Sequence, residues 1–147
     1  AAGHGSTNGV DADVADAVTE DNLDTSVQFA KHLAQKTGAV IAITGAIDLV
    51  ADKDRCAVIR NGRPEMSKIT GTGCQLSGMM TAFAAANPDK IFEACTAAVC
   101  AMGLAGELAH SRMQPGDGNS TYRNRIIDAI YHMSGEILDG GARYAIK

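Results

Sequence analysis

Ile69-Thr70-Gly71-Thr72-Gly73-Cys74-Gln75-Leu76-Ser77-Gly78 is the stretch from which the rest of the chain is read. A β-rich segment runs into two closely spaced glycines, and an apolar helical pattern starts straight after them. The first N–H groups of a helix have no acceptor inside it, and the helix dipole adds a partial positive charge there. Gly71 and Gly73 let the backbone turn tightly and approach a ligand with no Cβ in the way. This is a layout for an anion, and phosphate is the expected guest. Cys74 falls at the mouth of the helix, a position where thiols ionise more readily. The spacing is not the dinucleotide fingerprint, and no Lys-Ser/Thr pair follows to make a Walker A loop. Taken alone, Gly-x-Gly before a helix fits a phosphate site or a plain tight turn.

The chain has 147 residues, enough for one domain with a real core. Hydrophobic residues make up 46%, aromatics 4%, and tryptophan is absent, so the core must rest on Ala, Val, Ile, Leu and Met. The formal net charge is −4 with no basic block, which argues against nucleic acid or an anionic membrane surface as partner. Cys56, Cys74, Cys95 and Cys100 form no CxxC pair. Neither a metal site nor a disulfide framework is indicated, and a reducing cytoplasm is the expected setting. No apolar run reaches about 18 residues, so no membrane span is expected.

Residues 1–20 are rich in Gly, Asp, Ala and Ser and read as a loose acidic leader. Residues 21–37 carry Val27, Ala30, Leu33 and Ala34 on one helical face, closed by Gly38. Residues 39–44 form a short, continuous apolar run with β-branched residues, expected as a strand buried on both faces, as in a parallel sheet covered by helices. Thr44 ends it, where open α/β sheets place ligands. Residues 47–51 and 56–60 read as further strands. Asn61-Gly62 is a hairpin signal, with residues 63–69 as the returning strand. Helices are expected over 74–86, 89–110 and 121–138, with Asn87-Pro88 closing the first and opening the second, and Asn119 or Ser120 capping the third. Residues 142–147 are too short to assign.

Thr70-Gly71-Thr72-Gly73-Cys74 followed by a small, apolar helix resembles the anion hole of the ribokinase-like superfamily. Most members carry Asp where this chain has Cys74; the version with Cys is similar to the hydroxyethylthiazole kinase family. Lys36 to Gly45, Asp48 and Arg60-Asn61-Gly62 resemble that family's central strand and hairpin. Ala101 to Ala109, Gly116 and Asp128-Ala129-Ile130-Tyr131 resemble its C-terminal helices. The likeness extends over nearly all of residues 30–135.

The resemblance implies a three-layer α/β/α sheet, mostly parallel with a hairpin. Residues 1–147 would form the C-terminal part of a single kinase domain, incomplete at the N-terminus. It implies ATP-dependent phosphorylation of the primary hydroxyl of 4-methyl-5-(2-hydroxyethyl)thiazole in thiamin salvage, with Mg²⁺. It also implies a cytoplasmic trimer with sites between subunits. Thr44 matches the family's ATP-contacting residue, Gly71 a substrate-contacting glycine, and Cys74 the active-site cysteine. Gly71, Thr72, Gly73 and Cys74 make the anion hole, and no metal ligand is assigned. The first strands, most of the thiazole pocket and the stretch that places Mg²⁺ have no counterpart here. They are expected on a separate N-terminal chain or on a missing portion, so activity of these residues alone is doubtful. Two other readings are an ATP-dependent lyase of the same fold acting on hydrated nicotinamide cofactor, and a non-catalytic fragment that needs its other half. The lyases prefer Asp at the Cys74 position.

Overall fold

The computed structural model describes residues 17–147. The leader expected over residues 1–20 therefore lies mostly outside the described residues. Its last part is packed: Val18 is buried, and Asn22 binds both the Thr19 N–H and the Ala17 carbonyl.

Helix α1, Leu23–Thr37, buries Leu23 with Val27, Ala30 and Ala34 of the expected face, while Leu33 is only half-buried. Asp24 in its first turn complements the dipole. Gly38 ends it at φ 71°, donating its N–H to the Ala34 carbonyl. That left-handed conformation suits glycine.

Strands β1 (Ile41–Ile43), β2 (Asp48–Ala51), β3 (Cys56–Ile59) and β4 (Tyr144–Ile146) form one sheet in the order β1-β2-β3-β4. Every neighbouring pair is antiparallel. The mostly parallel sheet expected from the sequence is thus corrected. The links between β1, β2 and β3 are a few residues each, and such links can only double the chain back; a parallel return needs a longer crossover. Strand β3 is buried throughout, whereas β1 is an edge strand and only half-buried. The expectation that residues 39–44 are covered on both faces fails for that reason.

Side chains alternate across the sheet. Leu49, Ala51, Cys56 and Val58 pack with α1 residues Leu23, Val27 and Ala30. Val50, Ala57 and Ile59 turn to the other face and join residues of the later helices. The centre of that second cluster is α3, Ile91–Ser111, which buries Phe92, Cys95, Val99, Cys100, Met102 and Ala105 among others. It is long and apolar enough to cross a membrane, but it is mostly buried inside the fold.

Asn61-Gly62 does not close a hairpin. It makes a corner, with Gly62 at φ 113°, into a short 3-10 helix, Pro64–Lys68. Residues 63–69 are therefore not a strand; proline fits the first turn of a helix because it needs no N–H acceptor there. The corner lies against Gly103 of α3, where an added Cβ would come within 2.7 Å of the Asn61 backbone carbon. The chain then enters α2, Thr72–Ala86. Asn87 closes α2 as expected, its N–H bonding the Ala84 carbonyl, but it does not cap α3, whose N-cap position is Lys90. The last expected helix is two: α4, Asn119–Tyr131, and α5, Gly135–Gly141, with Ser134 capping the second through the Ile137 N–H. Residues 142–147 return as β4 against β3.

Candidate functional site

Gly71 stands immediately before α2 at φ 96°, a conformation that L side chains rarely adopt. The first intrahelical bond is Gln75 N–H to the Gly71 carbonyl, at 3.0 Å. Among the described residues, nothing accepts the N–H groups of Thr72, Gly73 or Cys74, and no side chain caps this helix. Three amides thus point out of the helix front together, which is a donor set for an oxyanion.

The loop is open to solvent. Gly73 and Cys74 are exposed, and Gly71 and Thr72 are half-buried. Gly73 has no positive φ, and nothing lies within 4 Å of where its Cβ would stand. No feature of the fold asks for glycine there. The Thr72 hydroxyl turns back to the Ile69 carbonyl at 3.3 Å, securing the turn from behind.

The four cysteines divide cleanly. Cys56, Cys95 and Cys100 are buried and free, and burial pushes the thiols of Cys56 and Cys100 up to about 11. Such thiols are inert core residues. Cys74 is exposed at the helix front.

A cleft of about 270 Å³ opens beside the loop, lined by Lys68, Ile69, Thr70, Asn119, Ser120 and Arg123. It brings two cations and three small polar side chains to the front of α4. Asn119 and Ser120 are not caps: the N-cap position is Gly118, and Asn119 Nδ2 donates to the Lys68 carbonyl at 3.1 Å. The sequence reading missed Lys68 and Arg123, since no spacing rule links positions so far apart.

Thr44 stands on a different element, exposed and one residue past β1. It is connected to the loop through packing: Val40 and Ala42 lie against the same apolar cluster as Ile69 and Leu76. The structure therefore groups Gly71, Thr72, Gly73 and Cys74 directly and Thr44 only through the core.

Unengaged amides at a glycine turn before a helix are a donor set suited to an anion, on an α/β scaffold. The comparisons narrow this to a family. The family model described as Hydroxyethylthiazole kinase family matches residues 2–136. The chain is 57% identical over 144 residues to the hydroxyethylthiazole kinase of Clostridium acetobutylicum, covering 98% of this chain and 53% of that protein. It is 38% identical to the hydroxyethylthiazole kinase of Desulfovibrio desulfuricans, covering 91% of this chain and 50% of that one. The solved structure of a hydroxyethylthiazole kinase protein from Pyrococcus horikoshii superposes with a TM-score of 0.74 at 23% identity, over 87% of this chain and 48% of that one. The chain belongs to the hydroxyethylthiazole kinase family. It spans about half the length of the curated relatives it matches.

Proposed function

We propose that this chain supplies the phosphate-gripping part of a kinase that moves the γ-phosphoryl group of ATP to the primary hydroxyl of 4-methyl-5-(2-hydroxyethyl)thiazole, in thiamin salvage. The observation that carries the reading is the set of free amides on half-buried Thr72 and exposed Gly73 and Cys74 at the front of α2.

Phosphoryl transfer needs little covalent help from a protein; it needs positioning and charge stabilisation. The alcohol oxygen attacks the γ-phosphorus as the bond to the ADP oxygen breaks. The three amides hold the equatorial oxygens while charge spreads over them. Gly71 and Gly73 let substrate and phosphate approach the backbone. Cys74 stands beside the reacting atoms as the group to receive the alcohol's proton. Thr44 contacts the nucleotide, and Lys68 and Arg123 offset its negative charge from the cleft.

Among the described residues no three His, Cys, Asp or Glu gather into a metal cluster. Mg²⁺ bound with a nucleotide takes one or two carboxylates besides the phosphates, and no carboxylate lines the cleft beside the loop. We assign the Mg²⁺ ligands, and most of the thiazole pocket, to the part of the fold that the relatives carry beyond this match. Two features favour such a partner. The outer edge of β1 is unpaired among the described residues, and α2 has no charged residue in 15 yet buries only Leu76. The family resemblance extends this picture to helices on both faces of a larger sheet, a trimer with sites between subunits, and a cytoplasmic setting.

A coupled assay of ADP release, with ATP and the thiazole alcohol, tests the reading in the assembled enzyme. Turnover is expected, kept by Cys74→Asp and largely lost by Cys74→Ala. Equal, unchanged rates for both variants would remove Cys74 from the chemistry. ADP release with hydrated nicotinamide cofactor and none with the alcohol would favour the lyase.

A further inference from the structure

Thr44 and Asp48 flank the end of the β1–β2 hairpin, each one step past the last register pair, Ile43 with Leu49. The register pairs Ala42 with Val50 one step earlier. By alternation both belong to the face of Ala42 and Val50, the one that packs under α3. Asp48 Oδ1 accepts the Gly45 N–H at 2.8 Å. Among the described residues this is the single side-chain hydrogen bond to the loop of residues 44–47, and it fixes the turn directly after Thr44.

The residue type is a costly choice for that task. Asp48 is half-buried, and among the described residues it enters no ion pair. Cys100 is the titratable group that faces it from α3, and Ile59 is its neighbour on β3. Strand β1 brings only apolar side chains, and α1 and Cys56 occupy the opposite face. Burial raises the Asp48 carboxyl to about 6, although the Gly45 bond pulls it down. A neutral side chain could accept one N–H with a smaller desolvation penalty. What a carboxylate adds is a stronger, charge-assisted grip on the amide.

We propose that Asp48 is a positioning residue for the nucleotide: its carboxylate holds the Thr44-Gly45 turn so that Thr44 is presented to ATP. The proposal rests on reading Thr44 as an ATP contact. The ionised carboxylate grips the turn most strongly, and protonation leaves only a neutral carbonyl acceptor, so the grip weakens as pH falls through about 6. ATP's terminal phosphate titrates nearby, so the difference between wild type and D48N is the informative quantity.

The test measures ATP dissociation constants by calorimetry between pH 5 and 8 for wild type, T44A, D48A and D48N, with Tm for each. T44A and D48A should each weaken ATP binding about five- to tenfold at pH 8, with D48A keeping its Tm. D48N, which keeps an acceptor without the charge, should bind about two- to threefold more weakly than wild type at pH 8 and lose less affinity than wild type below pH 6. In the same samples, without ATP, amide exchange at Gly45 should be about tenfold faster in D48A and protected in D48N. Normal ATP affinity in D48A beside a weakened T44A would overturn the positioning role alone. An unaffected T44A would overturn the Thr44 reading and the proposal with it. Unchanged Gly45 exchange in D48A would overturn the proposal whether or not ATP binds.

Discussion

The Arg143 guanidinium meets the Glu107 carboxylate with two nitrogens, Nη1 to Oε2 at 2.9 Å and Nη2 to Oε1 at 2.7 Å. Glu107 Oε1 also accepts the Gly62 N–H at 2.6 Å and Asn61 Nδ2 at 3.2 Å. Asn61 returns the link by accepting the Arg143 N–H at 2.7 Å and donating to the Gly141 carbonyl at 3.0 Å. One carboxylate on α3 thus ties the corner after β3 to the tail that forms β4. That corner starts the segment leading into the anion loop, so the network lies structurally upstream of the site.

Glu107→Ala should cost about 2–4 kcal/mol in denaturant unfolding, because the Gly62 amide and Asn61 lose a buried acceptor. Most of that cost belongs to the orphaned donors; the Arg143 side chain is 56% exposed, and an exposed ion pair contributes little. Glu107→Gln keeps an acceptor for Gly62 and should cost about 1 kcal/mol.

The same group predicts an acid response. Burial acts to raise the Glu107 carboxyl, but the bonds from Arg143, Gly62 and Asn61 outweigh it and the net shift is downward. A depressed carboxylate stabilises the fold above its ordinary value near 4.5 and loses that contribution as pH falls through the lower folded value. Stability of the wild type should therefore fall more steeply below pH 4.5 than stability of Glu107→Gln. Unfolding midpoints across pH 3–6 measure the difference.

Gly103→Ala should be strongly destabilising, about 3 kcal/mol or enough to prevent folding. Its Cβ would meet Asn61 backbone and side-chain atoms at 2.7 Å, and backbone cannot swing aside. Gly73→Ala, with open space around its Cβ, should leave Tm unchanged or slightly raised. Thermal unfolding of the pair separates a glycine needed by the fold from one that is not.

These contrasts show what was legible in the sequence. Helix α1 and the loop before α2 are written locally: an apolar stripe, a glycine C-cap, two glycines at a helix front. The Asn61-Gly62 corner was not, because its outcome is set by Glu107 and Gly103, more than forty residues away. Pro64 was a usable cue against a strand, and Ser134 before Gly135 was a usable cue for a new helix. Strand β4 could not be read, since it exists only through pairing with β3 from the far end of the chain. The apolar run of β1 spoke for a buried strand but not for its place at the edge.

Gly71 and Gly73 should fail differently in binding. Gly71→Ala forces a side chain into the left-handed region, costing about 1–2 kcal/mol and distorting the turn. Gly73→Ala leaves the turn intact and places a methyl group beside the amides. Both should weaken ATP binding, but only Gly71→Ala should lower Tm. Calorimetric titration beside thermal unfolding checks the split.

Phosphate binding by this chain depends most on the three unengaged amides at the front of α2. The direct measurement is an ATP titration of the ¹⁵N-labelled chain, following its backbone amide resonances. The largest shifts are expected at Thr72, Gly73 and Cys74, with Gly38 and Gly116 unmoved. Resonances of residues 72–74 that stay in place while ATP binds elsewhere on the chain would contradict it.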